Sequence, residues 1–370
     1  MTQAPIHDGA SGRTVLLAPS VLHGLVRACF EGLGIGPEDA TSVADALVHA
    51  DLRGIDSHGF DRLPTYMSRV RAGLAGGSEH VSVLARHGAL CRLDAGHALG
   101  PAVGVKAVDL AGELAQERGA GFVAVGNSTN FGAAGFYALR AARRRLIGIV
   151  TGNAPKMMAP HGARDAFLGS NALAIGIPMG EGDEFLLDMS SSVAARGKIR
   201  RAAIAGERLA PGVALDESGE PTSDPRAALA GVMLPAGGPK GAGLALAIAI
   251  LVAILAEADF DDEVASIYEA EQTRAQNLGQ LFVVIDPWRV ADPARTNERL
   301  AGLAVRLHGL RPASGFDAAR YPGEGAAQRA RARERSGIPV PAGDLEAAAQ
   351  ACAAFGLAQL AREFTALLAG

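Results

Sequence analysis

A change of texture near residue 81 constrains this chain more than any other feature of its 370 residues. Before it, apolar residues recur at helical spacing: Val21, Leu22, Leu25, Val26 and Cys29, then Val43, Ala44, Leu47, Val48 and Ala50, then Leu63, Tyr66, Met67 and Val70. Three-and-four spacing gives each helix one apolar stripe to bury. Ser20 is placed to cap the first helix, and Gly32 and Gly34 to end it. Pro37 opens the second helix, Gly54 breaks it, and Gly73 stops the third. The first 75 or so residues therefore read as all-helical. Beyond residue 81, short aliphatic runs read as strands at 89–93, 122–125, 147–151, 172–177, 185–188 and 281–285, with a helix over 101–118. Alternation of this kind predicts an α/β domain. After Pro287 the pattern turns helical again, with a polar, Arg-rich loop over 320–342. The expected organisation is a helical segment 1–78, an α/β domain 79–288, and a helical segment 289–370 that packs with the first.

Composition excludes several classes. Hydrophobic residues make up 49% and charged residues 20%, which is a globular balance. A net charge of −4 argues against nucleic acid or an anionic membrane surface as a partner. Cys29, Cys91 and Cys352 are odd in number and far apart, so neither a disulfide framework nor a thiolate zinc site is expected. Met1 to Arg13 carries no apolar run, which reads as no secretory signal and a cytoplasmic protein. The apolar stretch over 241–258 has the length of a buried core helix at least as much as of a membrane span.

Four segments carry groups suited to chemistry. Asp56-Ser57-His58-Gly59 precedes Arg62. Carbonyl reduction builds negative charge on oxygen, and an imidazole titrates near working pH, so His58 is a candidate proton donor. Arg62 offers a two-pronged clamp for a carboxylate. The same residues also make an ordinary polar loop with a surface ion pair. Gly126 to Gly132 (GNSTNFG) stands between a strand and a helix, where backbone N–H groups gather an anion or simply turn the chain. Gly237 to Gly243 (GGPKGAG) adds Lys240 to a glycine-rich turn before a helix. Asp188 and Ser190 to Ser192 close a strand, either orienting an imidazole and binding ribose or phosphate, or capping a helix. His161 is alone in a Pro/Gly loop, and no metal site is expected. No GxGxxG and no Walker motif is present.

Taken in order, these segments resemble the type-2 malate/L-lactate dehydrogenase family. That family includes L-sulfolactate and ureidoglycolate dehydrogenases, diketogulonate reductase, and reductases of piperideine- and pyrroline-2-carboxylate. The likeness spans about residues 20 to 340. It rests on Ser57-His58-Gly59 with Arg62, NSTNFGAAGFY (127–137), Pro160-His161-Gly162 with GSNALAIGIP (169–178), DMSSSVAARGKI (188–199), LDESGEPTSDP (215–225), GGPKGAGLAL (237–246) and Tyr321-Pro322-Gly323-Glu324.

The resemblance implies a non-Rossmann, L-sulfolactate dehydrogenase-like NAD(P)-binding domain, a homodimer, and NADP or NAD as hydride carrier. It implies His58 as proton donor, supported by Ser57, with Asp188 orienting the histidine. Arg62, Asn130, Ser170 and Asn171 would meet a small carboxylate substrate, either a 2-oxo acid or a cyclic 2-imino acid. Cofactor contacts would fall on Phe185, Leu186, Leu187, Asp188, Met189 and Ser190, on Pro239 and Lys240, and on Gly323 and Glu324. Arg196, Lys198 and the arginines after Glu324 would suit a 2′-phosphate or plain surface. Two departures stand out. Asn130 replaces the family's histidine in N-x-H-F-G and cannot exchange a proton near neutral pH, which raises the alternative of a catalytically silent cofactor-binding relative. Ala172 stands where proline is usual.

Overall fold

The computed structural model describes residues 13–180, 183–267 and 274–369, so nearly all of the stretch read for a signal lies outside the described residues. The chain opens with β1 (Thr14–Leu17), α1 (Pro19–Gly32) and α2 (Pro37–Arg53). Two 3₁₀ turns follow, Asp56–His58 and Phe60–Arg62, before α3 (Leu63–Arg71). Pro37 takes the first position of α2, and Gly54 ends that helix at φ 76°, in the left-handed region where a Cβ would be strained. Ser20 does not cap α1. That helix starts one residue earlier, at Pro19, and its first turn has no side-chain cap.

The α/β part runs β2 (Ser82–His87), β3 (Leu90–Asp94), α4 (Gly100–Arg118), β4 (Ala120–Ser128), α5 (Ala134–Arg143), β5 (Ile147–Gly152), β6 (Ala172–Ile177) and β7 (Phe185–Ser190). An excursion follows: α6 (Arg196–Ala205), β8 (Ala214–Leu215), β9 (Pro221–Thr222), α7 (Pro225–Ala230) and β10 (Val232–Met233). Then come α8 (Pro239–Ala256) and β11 (Leu278–Ile285). The last stretch holds α9 (Pro293–His308), α10 (Glu324–Ser336), β12 (Ile338–Pro341), α11 (Ala342–Ala354) and α12 (Ala358–Ala369). Seven strands pair in the order β2-β3-β4-β11-β5-β6-β7, and only β3 and β4 are parallel. A mixed sheet with one parallel pair is not a doubly wound dinucleotide fold, in keeping with the missing GxGxxG.

Strand alternation sorts the two faces of this sheet. Val123, Val125, Phe282 and Val284 point to the α4/α5 side, while Ala124 and Leu281 meet Val252 and Ala256 of α8 on the other. On the α4/α5 side Tyr137 is fully buried, stacks on Phe131 at 5.3 Å and meets Phe282 edge-on at 5.5 Å. Its hydroxyl donates to the Phe131 carbonyl, which anchors the loop entering α5. Among the described residues α8 is the one helix long and apolar enough to cross a membrane. One face of it packs on the sheet, while Leu246, Ile250, Leu251 and Ile254 stay exposed.

A second core joins the chain's two ends. Leu22, Phe30, Leu47 and Leu63 share it with Ile338, Leu345, Cys352 and Phe364. Two features here differ from the sequence reading. β1 pairs antiparallel with β12, so the N-terminal part is not purely helical. The Arg-rich segment read as a loop forms α10 over most of its length, and Arg329 and Arg333 reach the carbonyls of Arg53 and Asp51 at the end of α2. Helix carbonyl ends attract cations, and that attraction organises a stretch with too few apolar residues to reveal itself.

Candidate active site

A cavity of about 500 Å³, a size usual for small-molecule sites, opens between the 3₁₀ turns after α2 and the ends of β4, β6 and β7. Gly54, Ser57, His58 and Arg62 form one wall. Asn130, Gly132, Ala133 and Ala134 bring the entrance to α5, and Ser170, Asp188, Met189 and Ser190 the opposite side. Arg196, Lys198 and Arg201 of α6 complete the lining.

The first wall is held from behind by a buried carboxyl. Asp51 accepts the Phe60 backbone N–H at 2.8 Å, and a Cβ on Gly59 would sit 1.8 Å from its Oδ1, so only glycine fits there. Burial pushes Asp51 up to about 8. With the turn fixed, the Ser57 hydroxyl stands 2.9 Å from His58 Nδ1, and Arg62 donates from Nε to the Ser57 carbonyl at 2.7 Å. Burial, with the Arg62 charge second, lowers His58 to about 3, so the ring is a neutral base.

Across the cavity Asp188 is driven the other way. Burial raises it to about 6 against the opposing pull of the Gly135 N–H at the start of α5 and the Arg53 charge. Among the described residues no hydrogen bond joins Asp188 to His58; the hydroxyl of Ser57 takes the Nδ1 side instead. In this geometry His58 Nδ1 is held by Ser57 and not by Asp188. Ser190 and Ser192 stand 3.0 Å apart, hydroxyl to hydroxyl. α6 is tied to the first wall by Arg201–Asp56 at 3.7 Å and Arg200–Asp61 at 3.9 Å, and a Cβ on Gly197 would meet Ser57 Cβ at 2.8 Å.

The structure brings His58, Ser57, Arg62, Asn130, Ser170, Asp188, Met189 and Ser190 to one cavity. Asn171 is not among them. It is fully buried, donating to the Ala245 carbonyl and to Asp261, each at 2.8 Å, and accepting from Ala154 N. Its amide ties loops together, because a buried carboxamide needs every partner it can reach. Phe185, Leu186 and Leu187 lie elsewhere along β7, outside the lining, where Leu186 meets the Pro322–Gly323 turn and the Phe185 ring faces Tyr321. Leu186 N donates to Pro322 O, and a Cβ on Gly323 (φ 101°) would come within 2.8 Å of Leu186 N. Glu324 accepts from Tyr321 N and pairs with His308 at 2.7 Å. Pro239 and Lys240 begin α8, exposed and outside the lining itself, but their turn sits beside the cavity: Ala236 lines it and donates to the Ser191 carbonyl at 2.8 Å.

Sequence reading missed two side chains. Tyr66 appeared only as an apolar stripe residue, yet its hydroxyl donates to Asn130 Oδ1 at 2.6 Å; its place one helical turn after Arg62 was the available signal. Arg53, buried at the end of α2, donates to the Gly323 carbonyl at 3.2 Å and links the cavity to the 323–324 turn. Nothing in its sequence neighbourhood marks it.

The residues present suit a dinucleotide. The cavity offers a helix N-terminus, paired serine hydroxyls and the cations of α6, and the buried Nε of Arg53 has no partner among the described residues. Among the described residues no cluster of His, Cys, Asp or Glu could hold a metal ion.

A family model described as malate/L-lactate dehydrogenase matches residues 17–347. The L-sulfolactate dehydrogenase of Methanocaldococcus jannaschii is 36% identical over 84% of this chain and 89% of its own length. Its solved structure superposes with a TM-score of 0.85 at 33% identity, over 92% of this chain and 97% of that one. The (2R)-3-sulfolactate dehydrogenase (NADP(+)) of Chromohalobacter salexigens is 40% identical over 72% of this chain and 80% of its own. The delta1-piperideine-2-carboxylate reductase of Pseudomonas syringae superposes with a TM-score of 0.80 at 29% identity, over 93% of this chain and 99% of that one.

Proposed function

The chain belongs to the malate/L-lactate dehydrogenase family and is an NAD(P)-dependent dehydrogenase, and from that premise we propose that this cavity reduces a small 2-oxo acid to its 2-hydroxy acid, or a cyclic 2-imino acid to its cyclic 2-amino acid, and can run the first of these as the oxidation of the 2-hydroxy acid. The observation that carries the reading is the meeting of His58 and Arg62 on one wall, facing the α5 entrance. When bound, the nicotinamide supplies or accepts the hydride at the substrate's C2. Arg62, its Nε fixed on Ser57, holds the substrate carboxylate. His58, held at Nδ1 by the Ser57 hydroxyl, moves the proton through Nε2. A neutral ring accepts the hydroxyl proton in oxidation. Reduction needs the imidazolium; burial is the larger cause that disfavours it, and an acid anion seated on Arg62 offsets the smaller, charge-based part of the lowering. The serines, the α5 N-terminus and the α6 cations support cofactor binding at the cavity. Relatives named for NADP(+) and for NAD(+) leave either as the carrier. Asp188 is retained as a group that senses charge on the wall opposite His58.

His58→Ala is expected to lower kcat by about 10²–10⁴ while NAD(P)H affinity, followed by fluorescence, changes only a few-fold. Undiminished turnover would remove His58 from the reaction. We also propose a cytoplasmic homodimer and a division of the chain at residues 78 and 288. The exposed apolar residues of α8, together with α9, none of whose residues is buried, support the dimer as surface left for a second copy. Sedimentation equilibrium should return twice the 37.8 kDa chain mass, and a monomer at micromolar concentration would refute it.

A further inference from the structure

The carboxamide of Asn130 is locked in one orientation. Its Oδ1 accepts two hydrogen bonds, from the Tyr66 hydroxyl at 2.6 Å and from the Gly132 backbone N–H at 3.1 Å. The second bond fixes which end is oxygen, because a backbone N–H only donates. It depends on Gly132 adopting φ 77°, a conformation that turns the chain back on the asparagine. The backbone is equally pinned: Gly100 packs so closely that a Cβ there would lie 2.5 Å from the Asn130 carbonyl, and Thr129 accepts from Gln280 at 2.9 Å. Tyr66 is itself 2% exposed and cannot swing away without leaving its packing. With Oδ1 saturated, the side chain that lines the cavity has only its Nδ2 hydrogens to offer.

From this geometry we propose that Asn130, held by the positioning residue Tyr66, is an obligate hydrogen-bond donor that selects substrates with an acceptor oxygen on C2, 2-oxo and 2-hydroxy acids, against cyclic 2-imino acids. This rests on the reading of the cavity given above and narrows its substrate class. A carbonyl or hydroxyl oxygen at C2 has lone pairs for Nδ2–H. The protonated nitrogen of a cyclic imine has none and carries its own N–H, so two donors face each other and one is left unsatisfied when water is excluded. An unpaired buried donor costs about 1–3 kcal/mol, or roughly 5- to 150-fold. Discrimination of this kind is strong where a site is built to bond a particular polar atom. Both substrate types carry the carboxylate that Arg62 would hold, so the choice falls on the C2 substituent.

The test is the ratio of kcat/KM for oxaloacetate or pyruvate to that for Δ1-piperideine-2-carboxylate, each with NADPH and NADH. The native enzyme is expected to favour the better 2-oxo acid by about tenfold or more. Asn130→Asp offers only acceptors when ionised and should lower that ratio at least tenfold. Tyr66→Phe removes one of the two locks and should lower it by a smaller factor, with the Arg62-dependent part of KM unchanged for both substrates. Equal use of both substrates by the native enzyme, or a ratio untouched by both variants, overturns the inference and leaves the dehydrogenase reading intact. If the native enzyme binds NAD(P)H but turns over neither substrate class, the proposed function falls and takes the inference with it.

Discussion

The two walls of the cavity start from opposite chemistry and arrive at the same condition. On the 3₁₀ wall an imidazole that would titrate near 6.5 is lowered to about 3; on the β7 wall a carboxyl that would titrate near 3.8 is raised to about 6. Burial is the largest cause in both, because a low-dielectric surround penalises whichever form is charged. The difference lies in the second term. Arg62 repels a proton from His58, whereas the Gly135 N–H and Arg53 draw Asp188 back toward ionisation. The fixed charges of the site are therefore the cations of Arg62, Arg53 and α6, and burial pushes each titratable group toward its uncharged form.

The sharpest way to break that contrast is to remove Arg62. Arg62→Ala deletes the proposed carboxylate clamp and the charge that adds to the burial-driven lowering of His58 together. Loss of charge-assisted bonds worth about 1.5–3 kcal/mol each predicts a fall in kcat/KM of about 100-fold or more. Most of it should appear in KM, with partial recovery by added guanidinium ion and poor recovery in Arg62→Lys, whose ammonium lacks the planar fork. If kcat/KM falls less than about threefold, the acid group of the substrate sits elsewhere and the first wall is not its seat.

Much of this wall was legible in the sequence, and the reasons are local. Ser57, His58 and Arg62 occupy six consecutive residues between helix signals that Pro37 and Gly54 announce, so the turn and its chemistry are written together. The strands β5 and β6 were visible because buried runs of Ile, Val and Ala have no competing helical period. What stayed hidden depends on distant partners. β2 is exposed along its length and shows no alternation; it exists because β3 pairs with it. β1 needs β12, more than 300 residues away, and α10 needs the carbonyls at the end of α2. In the site, the Tyr66–Asn130 bond spans 64 residues, and the bonds that bury Asn171 join three loops to α8. Spacing along a chain reports faces of single elements, and it is silent about which faces meet.

Asp188 sharpens the comparison with the smallest expected effect. Ionisation of Asp188 through about 6 places a negative charge on the wall opposite His58, so kcat/KM for oxidation should show an acid limb there, and His58, neutral down to about 3, should not supply one. Asp188→Asn should erase that limb, and a limb that persists in the variant would assign it to another group. The stability effect has a definite sign. The folded carboxyl holds its proton more tightly than the unfolded one, so wild-type stability falls as pH rises from about 3.8 through about 6, and the penalty stays in place above that. An amide carries no such penalty. The melting temperature of Asp188→Asn relative to wild type should therefore climb between pH 4 and pH 7, by about 2 °C once the partial exposure of the site is allowed for. A difference that shrinks over that interval would mean the carboxylate is stabilised on its wall, and the two sides of the cavity would no longer be driven toward neutrality by the same force.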